Sequence, residues 1–237
     1  MTAPESATRL RLLSAGAAQG IVGSVADEFR AETGAIVEGT FGAVGAMRDR
    51  LLEGAACDTV ILTATLIETL EGAGHVVPAT AAPLGRVRTG IAVRTGERLP
   101  PIADGAGLRK TLVEAAALYL PDPELATAGI HFVKVLRELG IHDAVAPRLR
   151  PFPNGATAMI ELARSTGPGC VGCTQITEIR LVPGVVLVGP LPAGFELSTV
   201  YSIAVSAKAR DPDLARRFVS ILSGSASRAL RQSAGFE

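Results

Sequence analysis

Two short stretches of nearly side-chain-free residues are the first places in this chain where chemistry could sit. One is Ser14-Ala15-Gly16-Ala17-Ala18 followed by Gln19, and the other is Gly42-Ala43-Val44-Gly45-Ala46. Each follows an apolar run and precedes a stretch with helical spacing, so each reads as a turn from strand into helix. The first turn of a helix leaves backbone N–H groups without partners, and the macrodipole adds roughly half a positive charge there. An anion is favoured at such a point, and small residues let it approach closely. Gly16, Ala17 and Gln19 in the first loop, and Ala43 and Val44 in the second, are therefore candidate ligand contacts. Small residues at such turns also serve close packing, but two of these loops in one β-α-β-α unit make a paired cradle.

Later loop tips supply further candidates. Thr63 ends the apolar run Thr59 to Leu62, Thr127 and Ala128 open a helix that Gly140 closes, and Gln175 and Thr177 stand at the polar tip of CVGCTQITEI. Their neutral groups suit hydrogen bonds to a ligand, and a helix cap is the other use for each hydroxyl. Arg88 can grip a carboxylate through two N–H groups, or face solvent at a strand edge. Proton transfer would need a base and an acid. His131, one helical turn after Thr127, and Glu178 are the candidates, with a half-buried helix residue and a helix cap as their purely structural readings. No G-x-S-x-G, P-loop or dinucleotide fingerprint is present. No cofactor and no metal site are expected: Cys170 and Cys173 have C-x-x-C spacing but no second pair and no nearby His. With Cys57 they make an odd count for a disulfide framework, so buried thiols are expected.

Positioning these groups requires a sizeable core. The chain has 237 residues, 48% hydrophobic and 19% charged, enough for one large or two modest domains. Three successive β-α units up to Leu70 imply a parallel sheet with helices on both faces, and ligands in such sheets bind at the strand C-terminal ends. Pro78 to Pro83 breaks the pattern, a second α/β region follows from Arg86, FELSTVYSIAVSA reads as a long returning strand, and two helices close the chain. Basic and acidic residues balance at 23 each without a basic stripe, so nucleic acid is not an expected partner. No apolar run reaches the roughly 18 to 20 residues of a bilayer span, so no membrane insertion is expected. The opening MTAPESATRLRLL lacks the long apolar core of a secretion leader. The chain as written is thus expected in the cytoplasm, and in the periplasm if a leader has been removed.

Four stretches carry a wider likeness: SAGAAQGIVGSVADEFRAETG, TFGAVGAMRDRLLEGAACDTVILTA, PDPELATAGIHFVKVLRELG and AVSAKARDPDLARRFVSIL. They resemble the type II periplasmic-binding-protein superfamily and, within it, the molybdate-binding proteins of ABC uptake systems. The resemblance implies an α/β fold of two lobes, each a mostly parallel sheet flanked by helices. Residues 1–84 plus 197–237 would form one lobe and residues 85–196 the other, joined by two hinge crossovers and closing like a Venus flytrap on a ligand in the cleft. In the molybdate proteins, serines of the first two loops hold the oxyanion. The matching positions here are Ala17 and Val44, and Gln175 stands where those proteins have a ligand tyrosine. Hydrogen bonds to a charged partner are worth about 1 to 3 kcal/mol each, so their loss disfavours molybdate. Gly172 to Glu178 and Pro183 to Pro192 instead resemble a branch that includes aconitate isomerase, an enzyme of allylic proton transfer. The expected function is binding of a small anion, carboxylate or oxyanion, as a solute-binding protein of ABC-transporter type. The transporter's membrane subunits would be partners of an exported form. The alternative is a cofactor-independent isomerase of a small polycarboxylate, with His131 and Glu178 moving the proton.

Overall fold

The computed structural model describes residues 8–237. The leader expectation rests partly on the first seven residues, which lie outside the described residues. The chain divides into two compact units: the described part of Met1–Phe41 with Met47–Gly85 and Val200–Glu237, and Gly42–Ala46 with Arg86–Thr199.

The sheet of the first unit has the order β2-β1-β3-β9, from β1 (Arg9–Ala15), β2 (Ile36–Gly42), β3 (Thr59–Thr63) and β9 (Ser198–Val205). Strands β1 and β3 are parallel, with Leu12 opposite Thr59, whereas β9 runs antiparallel to β3 and sets Tyr201 opposite Thr63. Helix α1 (Gln19–Thr33) buries Ile21, Val22, Val25 and Phe29, which its period of about 3.6 residues places along one face. It stops at Gly34, whose φ of 72° needs no Cβ and lets its N–H reach the Arg30 carbonyl at 2.8 Å. The edge of one ring meets the face of the other between Phe29 and Phe218, 5.0 Å apart, joining α1 to α9 (Pro212–Ser223). Helices α2 (Val44–Leu52), α3 (Ala64–Gly72) and α10 (Arg228–Ala234) complete the set that begins or ends in this unit.

One ion pair is built into the first unit. Asp58 is 3% exposed and accepts from the Arg11 backbone N–H at 2.8 Å, from Arg11 Nε at 2.9 Å and Nη2 at 2.7 Å, and from the Arg210 N–H at 2.8 Å. Burial raises the Asp58 pKa, but these bonds outweigh it and hold the carboxyl below the usual aspartate value.

In the second unit the strand order is β4-β7-β5-β6, from β4 (Ala82–Arg94), β5 (Ala117–Pro121), β6 (Leu149–Phe152) and β7 (Cys170–Gln175), with β8 (Val185–Pro190) also on β4. Strands β5, β6 and β7 are parallel, while β4 is antiparallel to both β7 and β8, so this sheet is mixed. Side chains alternate between its faces, as the pleat requires. On one face Ile91, Val93, Leu118, Leu120, Val171 and Cys173 pack with Leu108 and Leu112 of α4 (Gly105–Glu114) and with Phe132 and Leu136 of α5 (Thr127–Glu138). On the other, Ala92, Ala117 and Cys170 pack with Ala158, Met159 and Leu162 of α7 (Gly155–Arg164) and Ile179 of α8 (Ile176–Leu181). The remaining helix, α6 (His142–Val145), is a single turn.

Candidate functional site

Strand β7 ends by sending consecutive side chains to opposite faces of the second sheet. Thr174 follows the alternation of Cys170 and faces α7, and Gln175 follows Val171 and Cys173 onto the α5 face. The β4–β7 register sets Thr89 directly opposite Gln175, so both lie on the α5 face, where Cβ atoms of opposed residues stand about 4.5 to 5.5 Å apart.

The α7 side of the strand end is fully bonded. Thr174 Oγ1 donates to Glu178 Oε2 at 2.6 Å. The Glu178 carboxyl also accepts from the backbone N–H groups of Ala156, Gly155 and Gln175. The last of these is the reciprocal half of a capping box, with Gln175 as N-cap and Glu178 three residues on. Burial pushes the Glu178 carboxyl up, only partly offset by these bonds. A Cβ at Gly155 would sit 2.0 Å from Thr174 Oγ1 and 2.1 Å from Glu178 Oε2, so glycine is required where the backbone closes on the carboxylate. Glu178 therefore combines two roles: it caps its own helix and binds the start of α7, whose own cap is the Asn154 side chain accepting from Thr157 N–H at 2.8 Å.

The α5 side is the reverse. Both amide atoms of Gln175 and the Thr89 hydroxyl are buried without a hydrogen-bond partner, as is the hydroxyl of Thr177 in the first turn of α8. Exposure is 2%, 1% and 5% for the three residues, well below the level at which solvent would satisfy them. Helix α5 begins on this face, and its N-cap, Ala126, offers no side chain to the first turn, which Thr127 and Ala128 open. Gly129 holds that turn tight against the end of β5, since a Cβ there would lie 2.4 Å from the Pro121 carbonyl and 2.2 Å from that of Asp122. Because β5 and β7 are parallel neighbours, the start of α5 and the Gln175 amide share one edge and one face. The Gly42–Ala46 loop belongs to the same unit: Gly45 N–H donates to the Leu125 carbonyl at 3.0 Å, bringing Ala43 and Val44 beside the segment that leads into α5.

Gly16, Ala17, Gln19 and Thr63 lie in the first unit. Gly16 and Ala17 form a buried 3₁₀ turn running into α1, which, like α5, has no side-chain cap. The contrast with other helices of similar length is informative, because Thr63, Asp104, Asn154 and Asp211 cap α3, α4, α7 and α9. Thr63 is thereby a cap, accepting from Leu66 N–H at 3.4 Å. Arg88 precedes Thr89 on β4, so it points to the opposite face of the sheet from Gln175. His131 Nε2 lies 2.8 Å from the Phe195 carbonyl and donates to it, since a carbonyl oxygen only accepts.

Sequence reasoning missed Thr89, Thr174, Gly155 and Ala156. Thr89 was hidden because its importance lies in the strand register. The run Asn154-Gly155-Ala156 repeats the small-residue helix start of the two opening loops and carried that signal.

A match to the model of the bacterial extracellular solute-binding proteins runs over residues 10–237, nearly the whole chain. The chain belongs to this family. Among solved structures, this solute-binding protein is similar to the periplasmic molybdate-binding protein of Azotobacter vinelandii, with a TM-score of 0.78, 19% identity, and 96% of this chain and 98% of that one covered. It is also similar to the sulfate-binding protein SubI of Mycobacterium tuberculosis H37Rv, with a TM-score of 0.73, 19% identity and coverage of 97% and 86%. These likenesses show the fold, that of the type II periplasmic binding proteins. In sequence it is 26% identical to an aconitate isomerase of a Pseudomonas species over 230 residues, 94% of this chain and 85% of the relative.

Two other features of this solute-binding protein concern chemistry. The three cysteines are free and buried, and burial pushes the Cys57 thiol up to about 11, so it stays protonated. Among the described residues no helix is long and apolar enough to cross a membrane, and no group of three or more His, Cys, Asp or Glu could hold a metal ion.

Proposed function

We propose that this chain captures a small anion, a carboxylate or an oxyanion, for an ABC-type uptake system whose membrane subunits are its partners, and that it acts in the periplasm. The observation that carries the reading is the lack of a side-chain cap on two of the longer helices. Helices α1 and α5 start without a side-chain cap and with small residues, whereas α3, α4, α7 and α9 are all capped. Uncapped first turns offer N–H donors and positive potential to an anion. In this reading Ala43, Val44, Thr127, Ala128, Gln175 and Thr177 contact the ligand from the second unit, and Gly16, Ala17 and Gln19 repeat the same design in the first. Arg88, which points to the other face of β4, stands outside this set of contacts.

The reading is tested by melting the purified protein with sulfate, molybdate, phosphate, citrate, cis-aconitate and trans-aconitate in turn. A ligand present at about a hundred times its Kd adds roughly 2.7 kcal/mol to stability. In a chain of this size that raises Tm by about 5 to 11 °C. No shift with any of these anions would refute it.

The similarity to an aconitate isomerase supports a second reading, a cofactor-independent isomerase of a polycarboxylate. His131 would remove a proton, and Glu178, whose burial favours the protonated form, would have to leave its bonds on the α7 side to return one. Under this reading, incubation with trans-aconitate in deuterated water puts deuterium into the recovered substrate, and His131→Ala abolishes that exchange. A receptor binds the same compound and leaves it unlabelled.

A further inference from the structure

We infer that Gln175, Thr89 and Thr177 select ligands that carry an O–H donor, a hydroxyl or an un-ionised carboxyl of an organic acid, against fully deprotonated oxyanions. The inference rests on the anion-binding reading above and concerns what else the anion must carry. It follows from the donor and acceptor count of the buried groups around the end of β7. The Gln175 amide has an N–H₂ that gives bonds and a carbonyl oxygen that only accepts them. Both amide atoms are buried without a partner, as are the hydroxyls of Thr89, directly opposite on β4, and Thr177, two residues on. The donors of this set suit the oxygens of any anion. The carbonyl oxygen does not, because an anion oxygen brought against it sets two acceptors together, and rotating the amide by half a turn only moves the conflict.

The α5 start on the same face resolves the arrangement. Its uncapped N–H groups suit an ionised carboxylate, while the amide and hydroxyls at the end of β7 suit a neighbouring group that both gives and accepts hydrogen bonds. A hydroxy acid, or a polyacid retaining one proton, carries both on one small skeleton. Sulfate and molybdate carry only acceptors. A buried acceptor left unmatched in the complex makes discrimination steep, since its desolvation is not recovered.

The test uses the whole chain and a matched pair: citrate, and propane-1,2,3-tricarboxylate, which lacks only the hydroxyl. Titration calorimetry at about pH 8, where carboxyls are ionised, is expected to show citrate bound at least tenfold more tightly, if the donor is a hydroxyl. If it is a carboxyl proton, the two bind alike at that pH, and both tighten at least tenfold as the pH falls to about 5. In Gln175→Leu the preference or the pH dependence disappears. The same variant, with its unpaired buried amide removed, melts about 2 to 4 °C or more above the wild type without ligand, which separates lost recognition from lost folding. Thr89→Val, nearly isosteric, gives the same two results if Gln175→Leu fails to fold. Sulfate or molybdate bound as tightly as citrate, and equally by wild type and variant, would overturn the inference and leave the anion reading intact. A wild type that binds nothing in the panel overturns the anion reading itself.

Discussion

Asp58→Ala is expected to lower stability by about 2 to 4 kcal/mol, because a buried carboxylate is lost from two backbone N–H groups and a guanidinium that keeps some access to solvent. Four hydrogen bonds end on this carboxylate, two from the Arg11 guanidinium and two from backbone N–H groups of Arg11 and Arg210. Its loss leaves both N–H groups and the guanidinium unmatched between β1, the start of β3 and the segment leading to α9. In a chain of this size the change lowers Tm by roughly 4 to 16 °C. The pH dependence gives an independent check. The Asp58 pKa is depressed in the folded state, so the unfolded chain binds the extra proton and folding gains stability as pH rises. That contribution is fully present above the unfolded aspartate value near 3.8 and is lost as pH falls through the lower folded value. Urea midpoints measured from neutral to strongly acid pH should therefore fall less steeply for Asp58→Asn than for the wild type. Parallel curves would show that Asp58 is not a source of the acid sensitivity.

Gly155→Ala carries the second large effect, an expected loss of about 3 kcal/mol or more from a single methyl group, within the range for buried polar networks that lose their partners. The added carbon cannot coexist with the carboxylate of Glu178 or the hydroxyl of Thr174 in their present places. Relief requires breaking the 2.6 Å bond between them and withdrawing the carboxyl from the N–H groups of α7. Glu178→Ala removes one obstacle and releases the Thr174 hydroxyl, the other, to turn away from the added carbon, so the double variant Gly155→Ala/Glu178→Ala should be more stable than the sum of the two single losses predicts, by about 1 kcal/mol or more. Strict additivity in chemical denaturation would show that the glycine is dispensable to the clasp. The sign of the pH effect is opposite to that at Asp58. Burial raises the Glu178 pKa, so its contribution is fully present below the unfolded glutamate value and is lost as pH rises through the folded one. Glu178→Gln, which mimics the protonated carboxyl, should accordingly lose less stability on the alkaline side than the wild type.

Several residues in these arguments were visible in the sequence. Asn154 and Asp211 stood before helical runs, and each caps the helix that follows. Gly34 and the opening β-α units were equally plain, because helix stops and hydrophobic periodicity are local properties. Gln175 and Thr177 could be singled out as polar residues after an apolar strand, although neither their burial nor their lack of partners could be read. Thr89 was unreadable, since on its own strand it is one polar residue among apolar ones.

By itself, then, the sequence determined the α/β class, the small-residue helix starts, the caps and stops, and the family likeness, all of which depend on residues close together in the chain or on recurring patterns. Only the tertiary structure decided which side of β7 each polar residue takes, that β4 runs antiparallel and sets Thr89 against Gln175, and that Gly155 lies against Glu178. The physical reason is strand register. A side chain's face changes with every residue, so a shift of one position would send Gln175 to the α7 side and Thr174 to the α5 side. No local preference opposes such a shift. The packed core does, by burying Val171 and Cys173 on one face and Cys170 on the other.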